Sequence, residues 1–355
     1  MIKKLNGFLI LFVIFFFVSC AAHISTDKKE KDLVETFNLK NGDFSKFKSE
    51  EALSAKPEQK KTEPKKIERK KEGGIQKVST KSVSAITPQK STDTTLPLNY
   101  PENFPEKYKA YDATYADTWK IFNPVIFPGE EYVLVVKYIG ITAGYVTMKT
   151  MQPVQIAGGY AWHMKARLQS ANFYKYIYML DDSIESFVNK DTFLPVKFQL
   201  IQKESIQEVN DLQLFDDSKL KTFFWYKRIK RGKLRKHERS EFIPRFFQDS
   251  FSALFFARGL PLKKNVIYEF PIVTRAKVWI LKLEVVGEDI IEIGSEKIPA
   301  IRIKAETRFP GVLKKKGDIL FWFSKDKTRK FLQFRAKVKI GSLSGKLVKY
   351  KIPKK

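Results

Sequence analysis

From Glu130 to near the C-terminus, apolar and polar residues alternate with a period of two. This pattern constrains the fold more than any other feature, because it is typical of strands that bury one face. The clearest runs are residues 160–168, 196–200, 301–306, 332–340 and 348–352. Turn signals separate the runs, among them Gly158-Gly159, residues 287–289 and Gly294-Ser295. The pattern predicts about ten to twelve strands.

So many consecutive strands without alternating helices predict antiparallel pairing. A meander this long must curl, close or split into layers. We therefore predict an all-β fold: a large antiparallel meander that forms a strongly curved sheet or barrel, with one short packed helix.

The helix is predicted from residues 249–259. Asp249 can cap its start, Phe251, Leu254 and Phe255 follow at helical spacing, and Gly259 suits a left-handed C-cap. We expect its apolar stripe to pack on the core. A mobile lid over a ligand pocket is the alternative.

The N-terminus has the pattern of an export signal. Lys3 and Lys4 precede an apolar run over residues 8–18, which has the length of a signal-peptide core and is too short to span a membrane. Residues 18–21, Val-Ser-Cys-Ala, resemble a bacterial lipobox, in which the Cys becomes the lipidated first residue. Cys20 is the only Cys of the chain, so no internal disulfide can form. We predict a lipoprotein signal peptide over residues 1–19 and lipidation of Cys20; an ordinary cleaved signal peptide is the alternative.

Residues 20–100 differ in composition from the rest of the chain. They are rich in Lys, Glu, Ser, Thr, Gln and Pro, and residues 59–71 read QKKTEPKKIERKK. Such a composition predicts a disordered basic tether in front of an antiparallel β domain at residues 101–355. Leu33 and Phe37 have the spacing of a short helix, which would be too short to be stable alone.

The chain is strongly basic, with 66 Lys and Arg against 39 Asp and Glu, a net charge of +27. Export makes nucleic acid an improbable partner, and the anions of an envelope are lipid headgroups, lipopolysaccharide phosphates and acidic glycans. A basic surface that serves only solubility is the alternative.

Two basic segments stand out: residues 227–239, which follow the aromatic residues 223–226, and a loop containing Lys314, Lys315 and Lys316. Basic loops beside aromatic residues can lie on a phosphate-rich membrane surface. A long solvated hairpin whose aromatic residues belong to the core is the alternative. A second candidate is the polar side of the late strands, where Arg302, Lys304, Lys349 and Lys351 would extend a positive surface. The candidate ligand-binding or membrane-binding residues are Arg228, Lys230, Arg231, Arg335, Lys337 and Lys339.

The sequence carries none of the usual catalytic motifs. His23, His163 and His237 are far apart, so a zinc site is not expected, and we predict no cofactor. The best carboxylate cluster is residues 181–185, in which Asp181 and Glu185 would share a strand face and could act as acid and base in a glycan hydrolase. A polar strand face opposite the many cations is the simpler interpretation, so we predict a protein that is not an enzyme.

Several short motifs resemble a Gram-negative envelope family catalogued as domain of unknown function 3108. They are Gly129-Glu130-Glu131-Tyr132 and residues 138–144, 178–186, 249–254, 278–279, 298–301 and 322–326. The resemblance covers about residues 125–352. It implies a β-rich domain facing the periplasm and offers no catalytic residues to transfer.

Three functions follow from these observations. The first is a non-enzymatic envelope lipoprotein whose curved β domain binds an amphipathic or anionic component, such as lipid, lipopolysaccharide or glycan. The second is a structural or assembly factor that docks on another envelope protein, and the third is the glycan hydrolase. The expected location is the envelope of a Gram-negative bacterium, anchored by lipid, facing the periplasm, with the outer membrane the favoured site.

Overall fold

The computed structural model describes residues 32–39, 42–51, 99–171, 178–309, 312–337 and 341–353. For residues 42, 51, 307–309 and 312–318 it describes the backbone alone. The predicted signal peptide, Cys20, His23 and Lys339 lie outside the described residues. The all-β prediction is confirmed: the described residues form one curved sheet of 17 strands with few helices.

The elements follow in chain order. The helices are α1 (Leu33–Thr36), a 3₁₀ helix (Gly42–Phe47), α2 (Glu106–Lys120) and α3 (Ser252–Gly259). The first nine strands are β1 (Glu50–Glu51), β2 (Glu131–Tyr138), β3 (Ile141–Thr150), β4 (Val154–Ile156), β5 (Gly159–Ser170), β6 (Asp181–Asn189), β7 (Pro195–Glu204), β8 (Gln207–Asp216) and β9 (Lys221–Lys230). The rest are β10 (Lys233–Phe242), β11 (Gln248–Asp249), β12 (Ile267–Thr274), β13 (Lys277–Ile293), β14 (Glu296–Phe309), β15 (Val312–Ser324), β16 (Phe331–Lys337) and β17 (Ser342–Lys351).

The sheet is an antiparallel meander whose first and last long strands meet. β2 pairs with β17. On one side of this pair the strand order is β2, β3, β5, β6, β7, β8, β9, β10. On the other side the order is β17, β16, β15, β14, β13, β12. The short β11 adds a parallel pair to β12, while β4 and β1 extend from β5. Within the described residues, β10 and β12 do not pair with each other, so the sheet is curved rather than closed.

The curvature brings the tip of the β12–β13 hairpin onto the concave face of β8 and β9. Arg275 forms an ion pair with Asp211, and its backbone N–H donates to Gln213 Oε1 at 2.5 Å. Ala276 packs in a buried cluster with Val209, Phe224 and Tyr226. Side chains therefore bridge the gap that strand pairing leaves open.

Two helices fill the concave side. The N-cap of α3 is Phe251 rather than Asp249. The buried Asp249 lies two residues earlier and accepts the N–H groups of Phe251 and Ser252 at 2.7 and 2.8 Å, which holds the turn that leads into the helix. Phe256 of α3 stacks on Phe122 at 4.4 Å and on Trp119 of α2 at the same distance. The predicted core packing of α3 is thus what the structure shows.

The outer face of β7, β8 and β9 is covered by residues 32–51, which we call the strap. Leu33, Val34 and Phe47 are buried against Ile201, Leu212, Leu214 and Trp225. Gln199 Oε1 accepts the N–H of Leu33 at 3.1 Å, and β1 adds a two-residue strand beside β4.

A buried ion pair holds the strap. Lys197 of β7 is fully buried and donates to Asp32 Oδ2 at 2.6 Å and to the carbonyl of Phe47 at 3.4 Å. Its ammonium also lies 4.9 Å from the centroid of the Phe187 ring. Burial lowers the pKa of Lys197, although the charge of Asp32 opposes this shift. Lys46 adds a partly exposed ion pair to Asp216 at 2.9 Å.

The strap corrects two predictions. Residues 32–51 belong to the compact unit that contains the sheet, so the prediction that they are part of a disordered tether is wrong. Residues 52–98 lie outside the described residues, and that part of the boundary stays a prediction. The alternation over residues 196–200 predicts Lys197 and Gln199 on a polar strand face, yet both are buried because the strap covers that face.

Other differences have local causes. α2 was missed because much of its surface is polar and its buried positions are Tyr108 and an Asp, Asp112, which accepts the backbone N–H groups of Arg245 and Phe246. Gly259 does not end α3 in a left-handed turn; a Cβ there would lie 2.4 Å from the Phe122 ring.

Two of the predicted turns and strand faces also differ. The predicted turn at residues 287–289 is a bulge within β13, next to Gly287. A register shift between Leu347 and Lys349 leaves Val348 exposed instead of inward.

Candidate functional site

The basic segment at residues 227–239 forms a hairpin at one edge of the sheet. β9 and β10 are joined by Arg231 and Gly232, which both have positive φ, as in a two-residue type I′ turn. His237, predicted to lie in a loop, is in β10 and lies 6.0 Å from Tyr226 between ring centroids. Every residue of β10 except Phe242 is exposed. This end of the hairpin therefore presents its side chains to solvent on both faces.

Three of the four cross-strand pairs next to the turn join two cations. Lys230 is opposite Lys233, Arg228 opposite Arg235, and Lys227 opposite Lys236. Like charges directly opposite each other destabilise a strand pair by a few tenths of a kcal/mol to about 1 kcal/mol. The three like-charged pairs therefore act against the stability of the hairpin.

The two faces of this hairpin differ. Arg228, Lys230, Lys233 and Arg235 alternate onto one face, which continues into the buried Tyr226 and Phe224. The other face carries Lys227 and Lys236 beside the remaining pair, Ile229 and Leu234, which are 37% and 55% exposed. One face thus presents four cations and the other an exposed apolar pair flanked by lysines.

Within the described residues, none of these cations forms an ion pair with a carboxylate. The Nε of Arg228 is buried and has no hydrogen-bond partner there. The charges of the hairpin are therefore available to an external anion, and we call residues 227–236 the cationic hairpin.

The other predicted basic residues are elsewhere. Arg335 and Lys337 are exposed on β16, which is eight strand pairings from β9, so no strand pairing joins them to the cationic hairpin. The guanidinium of Arg335 lies 5.6 Å from the centroid of a ring of Trp322. Lys314, Lys315 and Lys316 are in strand β15 rather than in a loop, because this strand extends back to Val312.

The continuous positive surface predicted around β16 is interrupted by carboxylates. Arg302 pairs with Asp289 at 3.0 Å, Lys304 pairs with Glu306, and Lys349 lies 3.6 Å from Glu131. Asp289 and Glu131 come from other strands than their partners, whereas Glu306 lies two residues after Lys304 on the same strand. The prediction of one unbroken basic face is wrong for these three cations.

The carboxylates of residues 181–185 are engaged in ion pairs. Asp181 accepts two hydrogen bonds from Arg167, each of 2.8 Å, and Glu185 accepts from His163 at 2.9 Å and Lys165 at 3.1 Å. Burial acts to raise the pKa of Glu185, but the hydrogen bonds and charges of His163 and Lys165 outweigh it and lower the pKa to about 2. Glu185 therefore lacks the raised pKa of a catalytic acid.

A different carboxylate, Asp182, is part of a buried polar cluster that sequence reasoning missed. Gln202 Nε2 donates to Asp182 Oδ2 at 3.0 Å and to Glu204 Oε1 at 3.1 Å. Tyr178 and Gln207 donate to Glu204 Oε2. Burial raises the pKa of Asp182 to about 7, and burial also raises the pKa of Glu204.

This acidic cluster adjoins the cationic hairpin. One cross-strand row joins the two features: Glu204 of β7 is opposite Gln207 of β8, and Gln207 is opposite Lys230 of β9. Lys230 is in turn opposite Lys233 of β10. The charge of Lys230 acts to lower the pKa of Glu204, although burial dominates. Sequence reasoning missed the cluster because Gln202 and Glu204 belong to a continuous polar run, Gln-Lys-Glu-Ser, in which no alternation marks them as buried.

A second buried network is centred on Glu130, which belongs with Tyr132 to the first of the short motifs that resemble the family. Arg258 of α3 makes a bidentate pair with Glu130, at 2.5 and 3.0 Å, and donates to the carbonyl of Thr328. Tyr132 and Thr150 donate to the same carboxylate at 3.0 and 3.2 Å. Every oxygen of the pair is satisfied, so this network fixes α3 to β2 and has the features of a structural site.

The residues that the structure describes also bear on metal binding and on membrane-spanning helices. They contain no cluster of His, Cys, Asp and Glu that could hold a metal ion. None of the helices they form has the length and apolar composition needed to cross a bilayer.

The sequence matches the model of a family described as "Protein of unknown function (DUF3108)" over residues 132–348. This is well over half of the chain, and the chain therefore belongs to that family, as the short motifs predicted. No curated protein matches it.

Two solved structures resemble the fold at low sequence identity. One is a beta-barrel-like protein of domain of unknown function DUF1849 from Brucella abortus, with 12% identity, a TM-score of 0.44, and coverage of 64% of this chain and 99% of that one. The other is a candidate lipoprotein from Parabacteroides distasonis ATCC 8503, with 10% identity, a TM-score of 0.30, and coverage of 65% and 98%. These values are too low for either protein to inform the function of this chain.

Proposed function

We propose that this protein is a non-enzymatic, lipid-anchored envelope protein that binds phosphate-bearing amphiphiles through the cationic hairpin. The observation that carries the proposal is the set of three cation–cation pairs, Lys230/Lys233, Arg228/Arg235 and Lys227/Lys236, none of which forms an ion pair with a carboxylate among the described residues. An anion placed between opposite cations would relieve their repulsion. The exposed pair Ile229/Leu234 supports an amphiphilic ligand, since apolar side chains can enter the region below the headgroups.

The expected strength follows from the charge. Each Lys or Arg near an anionic membrane surface contributes about 1 kcal/mol, and the effect fades within a Debye length of roughly 10 Å at 0.1 M salt. Removing two cations should therefore weaken binding about 30-fold at low salt. Phospholipid headgroups and the phosphates of lipopolysaccharide share this chemistry.

The test uses the chain from Ala21 onward, so that the strap is kept and no lipid is attached. Co-sedimentation is measured with phosphatidylcholine vesicles, with vesicles containing phosphatidylglycerol, and with vesicles containing lipopolysaccharide. We expect binding to the two anionic kinds, release at high salt, and about 30-fold weaker binding for R228Q/R235Q. The preferred anionic vesicle identifies the source of the phosphate.

The matched control is R335Q/K337Q, which removes the same charge from exposed positions on β16. It should change binding by no more than about threefold, because these residues are far from the hairpin in the sheet order. Equal losses in the two variants would mean that net charge, not the hairpin, governs binding. Absence of binding to both anionic vesicles at low salt would overturn the proposal.

The lipid anchor is the second part of the proposal, and the sequence around Cys20 supports it. Cys20→Ser should leave the protein unprocessed or release it from the membrane fraction. An unchanged mature mass together with unchanged fractionation would contradict lipidation at this residue. The outer membrane remains our proposed location within a Gram-negative envelope.

A docking role is the competing proposal, and the edge of β10 favours it. Within the described residues, β10 pairs with β9 alone, so its other edge offers backbone groups to an extended segment of a partner protein. If the chain binds a partner protein at high salt and has no affinity for vesicles, docking is supported over lipid binding.

A further inference from the structure

The antiparallel pairing brings several hairpin turns to the end of the sheet that carries the cationic hairpin. The β2–β3, β7–β8 and β9–β10 turns all lie there, because alternate turns of an antiparallel meander fall on the same side. The N–H of Ser205 donates to the carbonyl of Met179 at 3.0 Å. The N–H of Arg231 donates to the carbonyl of Ile206 at 3.3 Å. The start of β6 and the last two turns therefore lie at one level.

This end of the sheet exposes six large apolar side chains. Each is between 36% and 58% exposed, and we call them the apolar rim: Ile139, Ile141, Met179, Ile206, Ile229 and Leu234. The strands that carry them are about 4.8 Å apart, so the set spans at most roughly 30 Å along the sheet. Single exposed apolar residues are ordinary on a protein surface, whereas a series of them rimmed by polar residues marks an interaction site.

Ile139 is an unfavourable residue for the turn that it occupies. Ile139 and Gly140 have φ values of 48° and 80°, as in a two-residue type I′ turn. Asn or Asp suits the first of these positions, and a β-branched side chain there is strained. More than half of the Ile139 side chain is exposed, so burial offsets only part of this strain. The chain thus has an apolar side chain at a turn tip where neither the backbone nor full burial favours it.

Cations accompany the apolar rim. The exposed Lys137 and Lys203 precede the β2–β3 and β7–β8 turns, and the cationic hairpin contains the β9–β10 turn. One exposed carboxylate, Glu208, lies among them. Turns at the opposite end of the sheet carry adjacent exposed charges of both signs, namely Lys190/Asp191, Glu296/Lys297 and Lys325/Asp326. The end with the apolar rim therefore combines apolar side chains with an excess of positive charge.

We propose that the sheet binds a lipid bilayer end-on, with the apolar rim in the headgroup region and the surrounding cations on the lipid phosphates. The inference rests on the proposed function and makes its ligand specific: a bilayer surface, and not a single amphiphile held by the hairpin. Ile229 and Leu234 lie two residues from the β9–β10 turn, roughly 7 Å at the usual rise of a strand. Apolar side chains of peripheral proteins reach roughly 5–10 Å into the boundary between headgroups and acyl chains, which matches this depth.

Depth in the bilayer is measured with an environment-sensitive fluorophore on single cysteines. The chain from Ala21 has no thiol of its own, because Cys20 is the only Cys. Ile141→Cys and Ile206→Cys place the label on the apolar rim, and Ile290→Cys places it on an exposed residue near the opposite end. On vesicles containing phosphatidylglycerol, we expect a blue shift and quenching by brominated lipid at the two rim positions and neither change at Ile290.

The contribution of the apolar side chains is measured by co-sedimentation of the same chain. Ile139→Asn suits the type I′ turn, so the variant Ile139→Asn/Ile206→Ser should remain folded while binding anionic vesicles about tenfold more weakly. The matched control is Tyr160→Ser/Ile290→Ser, which removes two exposed apolar side chains from the opposite end of the sheet. This control should bind as the unmodified chain does.

The possible results separate the end-on arrangement from the proposed function. Equal quenching at Ile206 and Ile290, or equal loss of binding in the two double variants, overturns end-on binding. Co-sedimentation with anionic vesicles without a spectral change at Ile141 or Ile206 also overturns it, but leaves anion binding by the cationic hairpin intact. Absence of co-sedimentation at low salt overturns the proposed function and the end-on arrangement together.

Discussion

The two ends of strand β9 have opposite environments although their sequences alternate in the same way. At the start of the strand, Phe223 and Trp225 face the strap and Phe224 faces the concave core. At its end, from Lys227 to Lys230, no segment among the described residues covers the outer face, and the side chains are partly or fully exposed. The comparison shows that burial along this strand is decided by a segment nearly 200 residues away in sequence.

Substitutions at the strap end of β9 should lower the stability of the protein more than substitutions at its hairpin end. Phe47→Ala removes a buried ring from the cluster around Leu212 and Trp225, and should lower the free energy of unfolding by about 3–5 kcal/mol. Leu234→Ala at the exposed hairpin end should change it by no more than about 0.5 kcal/mol. Urea unfolding of the chain from Ala21 measures both; similar losses would mean that the strap does not form part of the core.

Breaking the ion pair between Asp32 and Lys197 should have the next largest effect on stability. Asp32→Asn leaves the charge of Lys197 buried without its counterion, which should cost about 2–3 kcal/mol. Lys197→Met, which removes the charge and keeps most of the volume, should be less damaging. Asp43→Asn is the control, because the pair of Asp43 with Lys219 is exposed and should contribute nothing measurable.

The acidic cluster at the hairpin end should make stability depend on pH. Burial raises the pKa of Asp182 to about 7, above the value near 4 expected in the unfolded chain, so the folded state binds the extra proton between these values. The protein should therefore lose stability as the pH rises from about 4 to about 7. Asp182→Asn should remove this loss and stabilise the protein by about 1–3 kcal/mol at pH 8, with little effect at pH 4.

Thermal unfolding of both proteins between pH 4 and pH 8 tests this dependence. A stabilisation by Asp182→Asn that is the same at pH 4 and pH 8 would show that the carboxylate is not protonated in the folded state. The same variant bears on the glycan-hydrolase alternative, because burial raises the pKa values of both Asp182 and Glu204, which lie in one cluster.

The smallest change in stability is expected from reversing one charge of the cationic hairpin. Arg235→Glu converts the Arg228/Arg235 pair into one of opposite charges, and should stabilise the protein by about 0.2–1 kcal/mol while weakening binding to anionic vesicles. A functional site often shows this opposition between stability and binding. Loss of both properties together would indicate a misfolded hairpin instead.

The alternation predicted the sheet, its antiparallel pairing and the position of α3, because each of these depends on local pattern. The alternation did not predict which residues lie opposite each other on neighbouring strands. The opposition of Arg228 and Arg235 follows from the register set by the turn at Arg231 and Gly232, and a one-residue shift would have changed every pair.

The strap was missed for a related reason. Leu33, Val34, Phe37, Phe44 and Phe47 are few and irregularly spaced in a polar segment, and such a segment cannot form a core alone. They become buried because the outer face of β7–β9 supplies the rest of the apolar surface. The same cover explains why Lys197, which alternates with apolar residues, is not exposed.

Docking of the strap changes what a proteolytic nick would do to the protein. A cut within residues 52–98 would separate the strap from the sheet covalently but leave the contacts of Leu33, Val34 and Phe47, and the Asp32–Lys197 ion pair, in place. The nicked protein would then be a complex of two fragments, with release from an anchored N-terminal piece governed by a dissociation rate instead of by bond cleavage. The half-life of the C-terminal fragment on a membrane after such a cut would measure how slowly the sheet dissociates from the N-terminal segment.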